Sequence, residues 1–130
     1  MPNASLQRIL YVEDEADIRD VARIALEAVG GFQVLVCGSG QEALAAAVAL
    51  RPDLFLLDVM MPDMDGPSTL AALRALPELT EIPAVFMTAK VQAHEVARYR
   101  QMGALDVIPK PFEAMTLAAT VRGIWAARVG

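Results

Sequence analysis

The sequence predicts a doubly wound α/β sandwich, five strands in a parallel sheet with helices on both faces. Three observations carry this. Five short apolar runs rich in strand-forming residues alternate with five stretches of helical periodicity. No hairpin turn joins any two of the runs, so each passes to the next through a helix, which implies parallel βαβ units with right-handed crossovers. At 130 residues the chain has room for one self-sufficient core and no second domain.

The first strand is read from Leu6 to Val12 with the β-formers Ile9, Tyr11 and Val12, and it ends abruptly at Glu13-Asp14-Glu15. From Ala16, the residues Ile18, Val21, Ala22, Ala25 and Val29 recur at helical spacing. Asp17, Arg19, Asp20, Arg23 and Glu27 lie opposite, and Gly30-Gly31 stops the pattern. Phe32 to Cys37 is a second strand, Gly38-Ser39-Gly40 a turn, and Gln41 to Leu50 an alanine-rich helix closed by Arg51-Pro52. Leu54-Phe55-Leu56-Leu57 is unbroken apolar sequence before Asp58, the pattern of a central strand buried on both faces.

After Met61-Pro62-Asp63-Met64-Asp65-Gly66-Pro67, a helix runs through Leu70, Leu73 and Leu76. Ile82 to Met87 is a fourth strand with Thr88 at its end, and Val91 to Met102 a weaker helix closed by Gly103. Leu105 to Ile108 is a fifth strand, and Phe112 to Arg128 a last helix facing inward through Leu117, Val121 and Ile124. Only the first and last few residues are expected to fray.

Composition narrows the function. Hydrophobic residues make up 55% of the chain and aromatics 5%, so the core is aliphatic. Eleven basic against sixteen acidic residues leave a net charge of −5, which gives no electrostatic support to a nucleic-acid partner or an anionic membrane surface. Cys37 is the single cysteine, which excludes an intramolecular disulfide or a cysteine zinc cluster and fits a small buried residue in a reducing compartment. No apolar stretch is long enough to span a bilayer and no secretory leader is evident, so a cytoplasmic location is expected.

In an open parallel sheet the ligand site lies beyond the carboxyl ends of the strands. Glu13 and Asp14 end the first strand, Asp58 the third and Thr88 the fourth, and Lys110 follows the fifth. Three carboxylates, a hydroxyl and an amine are therefore predicted to converge. Two like charges about 4 Å apart repel by roughly 4 kcal/mol at an effective dielectric near 20, so such a cluster calls for a cation. Hard oxygen donors without His or Cys suit octahedral Mg²⁺, with Mn²⁺ as a substitute. Taken alone, Glu13, Asp14 and Glu15 are as readily explained as residues that punctuate a loop and favour the next helix N-terminus. Asp58, directly after four buried strand positions, and Lys110, held between Pro109 and Pro111, are not.

The segments Ile9-Leu10-Tyr11-Val12-Glu13-Asp14-Glu15, Leu56-Leu57-Asp58-Val59-Met60-Met61-Pro62-Asp63-Met64-Asp65-Gly66, Met87-Thr88-Ala89 and Lys110-Pro111-Phe112 resemble, in order, the receiver domains of two-component response regulators. The resemblance implies a flavodoxin-like (βα)5 fold with strand order 2-1-3-4-5 and a single receiver domain over residues 1–130 without an output domain. It implies Asp58 as phosphoacceptor, with Glu13, Asp14, Asp58 and the Met60 backbone carbonyl as metal ligands. Lys110 would pair with the phosphoryl group and Thr88 would report it. Met60 and Lys90 would flank the attacking water. Ala89 and Lys90 would belong to the responding loop together with Thr88.

The same likeness implies a signalling protein that catalyses its own phosphorylation and autodephosphorylation rather than a turnover enzyme. The phosphodonor would be a sensor histidine kinase, a histidine phosphotransfer protein or a small donor such as acetyl phosphate. The downstream protein target would bind the fourth helix, fifth strand and last helix, and the chain would be a monomer or weak homodimer. Effector, phosphorelay intermediate and phosphate sink are alternative roles. Val107 departs from the family pattern, which often has Tyr or Phe there. A haloacid-dehalogenase-type phosphohydrolase would need an acid where Met60 stands, and a metal-independent pseudoreceiver would not keep all five site residues. His94 reads as a solvated helix residue, Tyr99 and Trp125 as partly buried or semi-exposed surface aromatics that could anchor a partner.

Overall fold

The computed structural model describes residues 5–128; the termini that the sequence leads one to expect to fray lie outside them. Five parallel strands form one sheet in the order β2-β1-β3-β4-β5, with β1 Arg8–Val12, β2 Gln33–Cys37, β3 Leu54–Asp58, β4 Ala84–Thr88 and β5 Asp106–Pro109. The helices are α1 Ala16–Ile24, α2 Gly40–Leu50, α3 Gly66–Arg74, α4 Ala93–Gln101 and α5 Leu117–Ala127. The predicted fold class and strand order are thus observed.

Strand alternation sends side chains to two cores. Ile9, Tyr11, Leu56, Val85, Met87 and Ile108 pack on the side of α1 and α5, while Leu10, Val12, Phe55, Leu57 and Phe86 pack on the side holding Ala43, Ala47, Leu70 and Leu73. Every residue of β3 is buried, which follows from its central place and its unbroken apolar sequence.

Several boundaries differ from the sequence reading. The first strand begins at Arg8, whose N–H donates to Asp53 Oδ2 at 2.9 Å; Leu6 is buried ahead of it. The fourth strand starts at Ala84 and includes Thr88, and the fifth runs through Pro109. The last helix starts at Leu117 rather than Phe112, because Ala114 to Thr116 form a turn in which the Thr116 N–H donates to the Glu113 carbonyl at 3.2 Å. Beyond Ile24 the first helix widens into a π-helical turn over Ala25–Val29, and the Gly30 N–H reaches back five residues to the Ala25 carbonyl. The inward stripe of this helix is Ala22, Ala25 and Leu26, whereas Val21 and Val29, expected to face the core, are 48% and 50% exposed. Ile24 beside them is 58% exposed.

Tyr99 also departs from expectation. It is buried, with its ring edge-on to Phe86 at a centroid distance of 5.5 Å, and so anchors α4 to β4. Trp125 is half-buried with the Arg128 guanidinium 3.6 Å above its ring, and His94 is exposed on α4 as expected.

Candidate functional site at the carboxyl edge of the sheet

Each acidic group is delivered by the end of a strand. The β1 to β3 register pairs Tyr11 with Leu56 and Val12 with Leu57, so Glu13 emerges beside Asp58. The Glu13 N–H donates to the Cys37 carbonyl at 3.0 Å, extending the β1 to β2 ladder one residue past the strand. Arg19 on α1 donates from Nη1 to the backbone carbonyl of Glu13 at 2.9 Å and to that of Asp14 at 3.4 Å, which pins the acidic turn. Past Asp58, the Val59 N–H donates to the Met87 carbonyl at 3.0 Å and the Gly66 N–H to the Val59 carbonyl at 2.9 Å. A Cβ at position 66 would stand 2.5 Å from the Asp58 carbonyl oxygen, so only glycine lets α3 begin this close to the end of β3. Asp65 then caps α3 by accepting from the Ser68 N–H at 2.8 Å.

The side chains meet as predicted for four of the residues. Glu13 and Asp58 are buried, and the Lys110 ammonium donates to Glu13 Oε1 at 2.9 Å and to Asp58 Oδ1 at 3.1 Å. Glu13 Oε2 accepts from the Glu15 N–H at 3.2 Å. Glu13, Asp14 and Asp58 each place a carboxylate oxygen within 4.8 Å of the others. Lys110 reaches them because its N–H donates to the Thr88 carbonyl at 2.9 Å, continuing the β4 to β5 pairing. It stands between Pro109 and Pro111, the second joined to it by a cis peptide bond.

Burial, followed by the Glu13 charge, pushes the Asp58 carboxyl from its usual 3.8 up to about 7, against the opposing pull of Lys110. Burial alone would weaken the Lys110 ammonium, but its hydrogen bonds to Glu13 and Asp58 outweigh that and raise its pKa. One cation therefore serves two buried carboxylates, and one oxygen of a third, Asp14 Oδ1, is buried without a hydrogen bond. Three convergent oxygen donors, one of them orphaned, fit a hard divalent cation.

Thr88 is buried at the end of β4, where its hydroxyl accepts from the Lys90 N–H at 3.1 Å. Met60 is 66% exposed, and with Lys90 it lines one hollow of about 260 Å³ between the β3 to α3 loop and α4. Ala89 and Lys90 are exposed at the head of the loop to α4. Val107 is half-buried opposite Phe86 and packs into the core on the side away from Asp58. A separate apolar hollow of about 270 Å³ opens at the other side of Lys110, lined by Asp17, Ile18, Val21, Pro111 and Phe112.

Sequence reasoning did not single out Tyr11 or Arg19. Strand alternation was the available signal for Tyr11, which lies two residues before Glu13 and hence on the same face. Arg19 acts through backbone carbonyls, which leave no mark in a pattern of residue types.

Among the described residues, no helix is long and apolar enough to cross a membrane. The sequence is 42% identical over 116 residues to the DNA-binding response regulator MtrA of Mycobacterium tuberculosis strain H37Rv, covering 89% of this chain and 49% of that protein. It is 34% identical over 121 residues to the transcriptional regulatory protein CseB of Streptomyces coelicolor, covering 93% of this chain and 50% of that one. The chain thus spans about half the length of these curated relatives. Among solved structures, chemotaxis protein CheY4 of Vibrio cholerae superposes with a TM-score of 0.84 at 28% identity, covering 92% of this chain and 99% of that one. The N-terminal domain of a response regulator receiver protein from Methanoculleus marisnigri gives 0.73 at 36% identity, covering 94% and 98%. The Response regulator receiver domain family matches residues 9–122, and with the sheet order and acidic edge described above this places the chain in the receiver domain family of two-component response regulators.

Proposed function

We infer that this domain accepts a phosphoryl group on Asp58 with Mg²⁺ held by Glu13, Asp14, Asp58 and the Met60 carbonyl, and signals through phosphorylation-dependent protein contacts. The observation that carries the reading is the buried Glu13-Asp58 pair sharing the Lys110 ammonium, next to the orphaned Asp14 oxygen. An oxygen of Asp58 attacks phosphorus, and a new O–P bond forms as the donor's N–P bond, or the O–P bond of acetyl phosphate, breaks with its electron pair leaving on the donor. Lys110 is placed to follow the charge from the carboxylate to the phosphoryl oxygens. When bound, Mg²⁺ supplies the positive charge that keeps Asp58 ionised near neutral pH and offsets the charge of the incoming group. Mn²⁺ serves the same donor set.

A sensor histidine kinase or histidine phosphotransfer protein is the proposed physiological donor. The apolar hollow beside Lys110, continuous with exposed Val21, offers such a protein a seat next to Asp58. Residues 1–130 act in this reading as one receiver unit. Incubation with acetyl phosphate and Mg²⁺ should raise the intact mass by one phosphoryl group, and EDTA should prevent the gain. No gain with metal present would refute the reading.

Thr88 and the loop that begins at Ala89 and Lys90 carry the response. The Thr88 hydroxyl now accepts from Lys90 N–H, and its own proton is free to turn toward a phosphoryl oxygen on Asp58. Val107 is short and stiff at χ1, so it cannot sweep into the space that Thr88 leaves. The displacement therefore passes into the loop and α4, which Tyr99 couples to Phe86 on β4. The fourth helix, fifth strand and last helix form the proposed surface for a downstream protein. Amide NMR with Mg²⁺ and beryllofluoride, a phosphoryl mimic, should show its large shifts from residue 89 to residue 102. Val107→Ala should leave them nearly intact, and their disappearance in a folded Val107→Ala chain would make Val107 the switch instead.

A further inference from the structure

The phenol of Tyr11 has no role in the chemistry above. Tyr11 is fully buried, and its hydroxyl stands near Glu13 without a hydrogen bond of normal geometry in the unmodified chain. Packing alone is served by phenylalanine, since a buried hydroxyl without a partner is a net cost. The position of the ring explains what the hydroxyl can do. Tyr11 and Glu13 share one face of the chain by strand alternation, and Tyr11 pairs with Leu56, two residues before Asp58. The phenol thus lies directly beneath the Glu13-Asp58 pair. An ordinary phenol is a neutral O–H donor at physiological pH, so the group can donate to either carboxylate.

Glu13 is itself fully buried, and its Oε1 depends on Lys110, which it shares with Asp58. Once a phosphoryl group sits on Asp58, it draws the ammonium toward its oxygens, and Glu13, turned toward the cation, loses the hydrogen bond that Lys110 gave it. We propose that Tyr11 is a positioning residue whose hydroxyl takes over as hydrogen-bond donor to Glu13 when Lys110 turns to the phosphoryl group on Asp58. The inference rests on the receiver reading and deepens it. The idle hydroxyl of the unmodified chain is the reserve partner of the modified one, and it holds Glu13 in place toward the cation. No proton is transferred in this exchange.

Tyr11→Phe removes the hydroxyl and little else. In EDTA its melting temperature should equal or exceed that of the wild type, because an unpaired buried polar group is gone. With Mg²⁺ and beryllofluoride the rise in melting temperature should be smaller than in the wild type, and the apparent affinity for beryllofluoride weaker by about tenfold, the scale of a lost hydrogen bond to a charged group. Equal beryllofluoride affinity in both chains overturns the proposal. So does a melting temperature already lowered in EDTA by as much as with beryllofluoride, since that is the signature of packing. A wild-type chain that neither gains mass from acetyl phosphate nor is stabilised by beryllofluoride overturns the receiver reading as well, whereas normal behaviour of both chains overturns the Tyr11 role alone.

Discussion

Asp58→Asn is expected to abolish labelling by acetyl phosphate completely and, in metal-free buffer, to make the domain more stable. The amide keeps the shape of the side chain and an oxygen for Lys110 but offers no anionic nucleophile. The stability gain has a defined pH window. Asp58 titrates near its usual 3.8 in the unfolded chain and at about 7 in the folded one, so between those values the folded state holds the extra proton. The contribution of Asp58 to wild-type stability therefore falls as pH rises from about 4 to about 7 and stays at its lower level above that. The variant lacks this slope. Its advantage should be small at pH 4, grow through the window and level off above it. A change of about 1 kcal/mol corresponds to roughly 3–6 °C in Tm for a domain of this size, so the plateau should be several degrees. Thermal melts in EDTA at pH 4, 6 and 8 measure it. Stoichiometric labelling of Asp58→Asn, or a gain that shrinks toward alkaline pH, would contradict the assignment.

Asp14→Ala should lower the affinity for Mg²⁺ by at least about a hundredfold, more than the tenfold to hundredfold typical of residues that only support a metal ligand. It removes one of three converging donors, the one whose Oδ1 has no other partner. The same change should leave the metal-free fold intact and raise its melting temperature slightly, because it takes one negative charge from a cluster served by one ammonium. Calorimetric titration with Mg²⁺ and melts in EDTA test the two halves separately. A marked loss of metal-free stability would show that Asp14 is a structural residue, and unchanged Mg²⁺ affinity that it is not a ligand.

The parts of the site that were legible in the sequence are those in which a charge abruptly follows an apolar run. Asp58 after Leu54 to Leu57 and Glu13 after Val12 had to lie at the edge of a buried sheet, and the parallel topology then brought them together. Lys110 was legible through the prolines on either side. The helices were less so. A π-helical turn over Ala25–Val29 adds one residue to a turn, a shift that apolar spacing cannot register, and it accompanies a buried stripe displaced from Val21 and Val29 to Ala22, Ala25 and Leu26. Phe112 to Thr116 carries apolar residues at spacings compatible with a helix, yet the chain turns there. Tyr99 was hidden because α4 is polar around it, with Arg98 and Arg100 as neighbours, so nothing local announced that its ring would meet Phe86.

The burial of all five residues of β3 has a consequence for how Asp58 is held. Its strand is hydrogen-bonded on both sides, to β1 and to β4, and both its faces are covered. Its neighbours would have to part before such a strand is freed, so its amides are expected among the last to exchange with solvent in a hydrogen-exchange measurement. Asp58 is the final residue of that strand. On the reading proposed above, the residue that takes the phosphoryl group is thus expected in a slowly exchanging part of the chain, and the loop from Ala89 that would respond to it in a part that opens more easily.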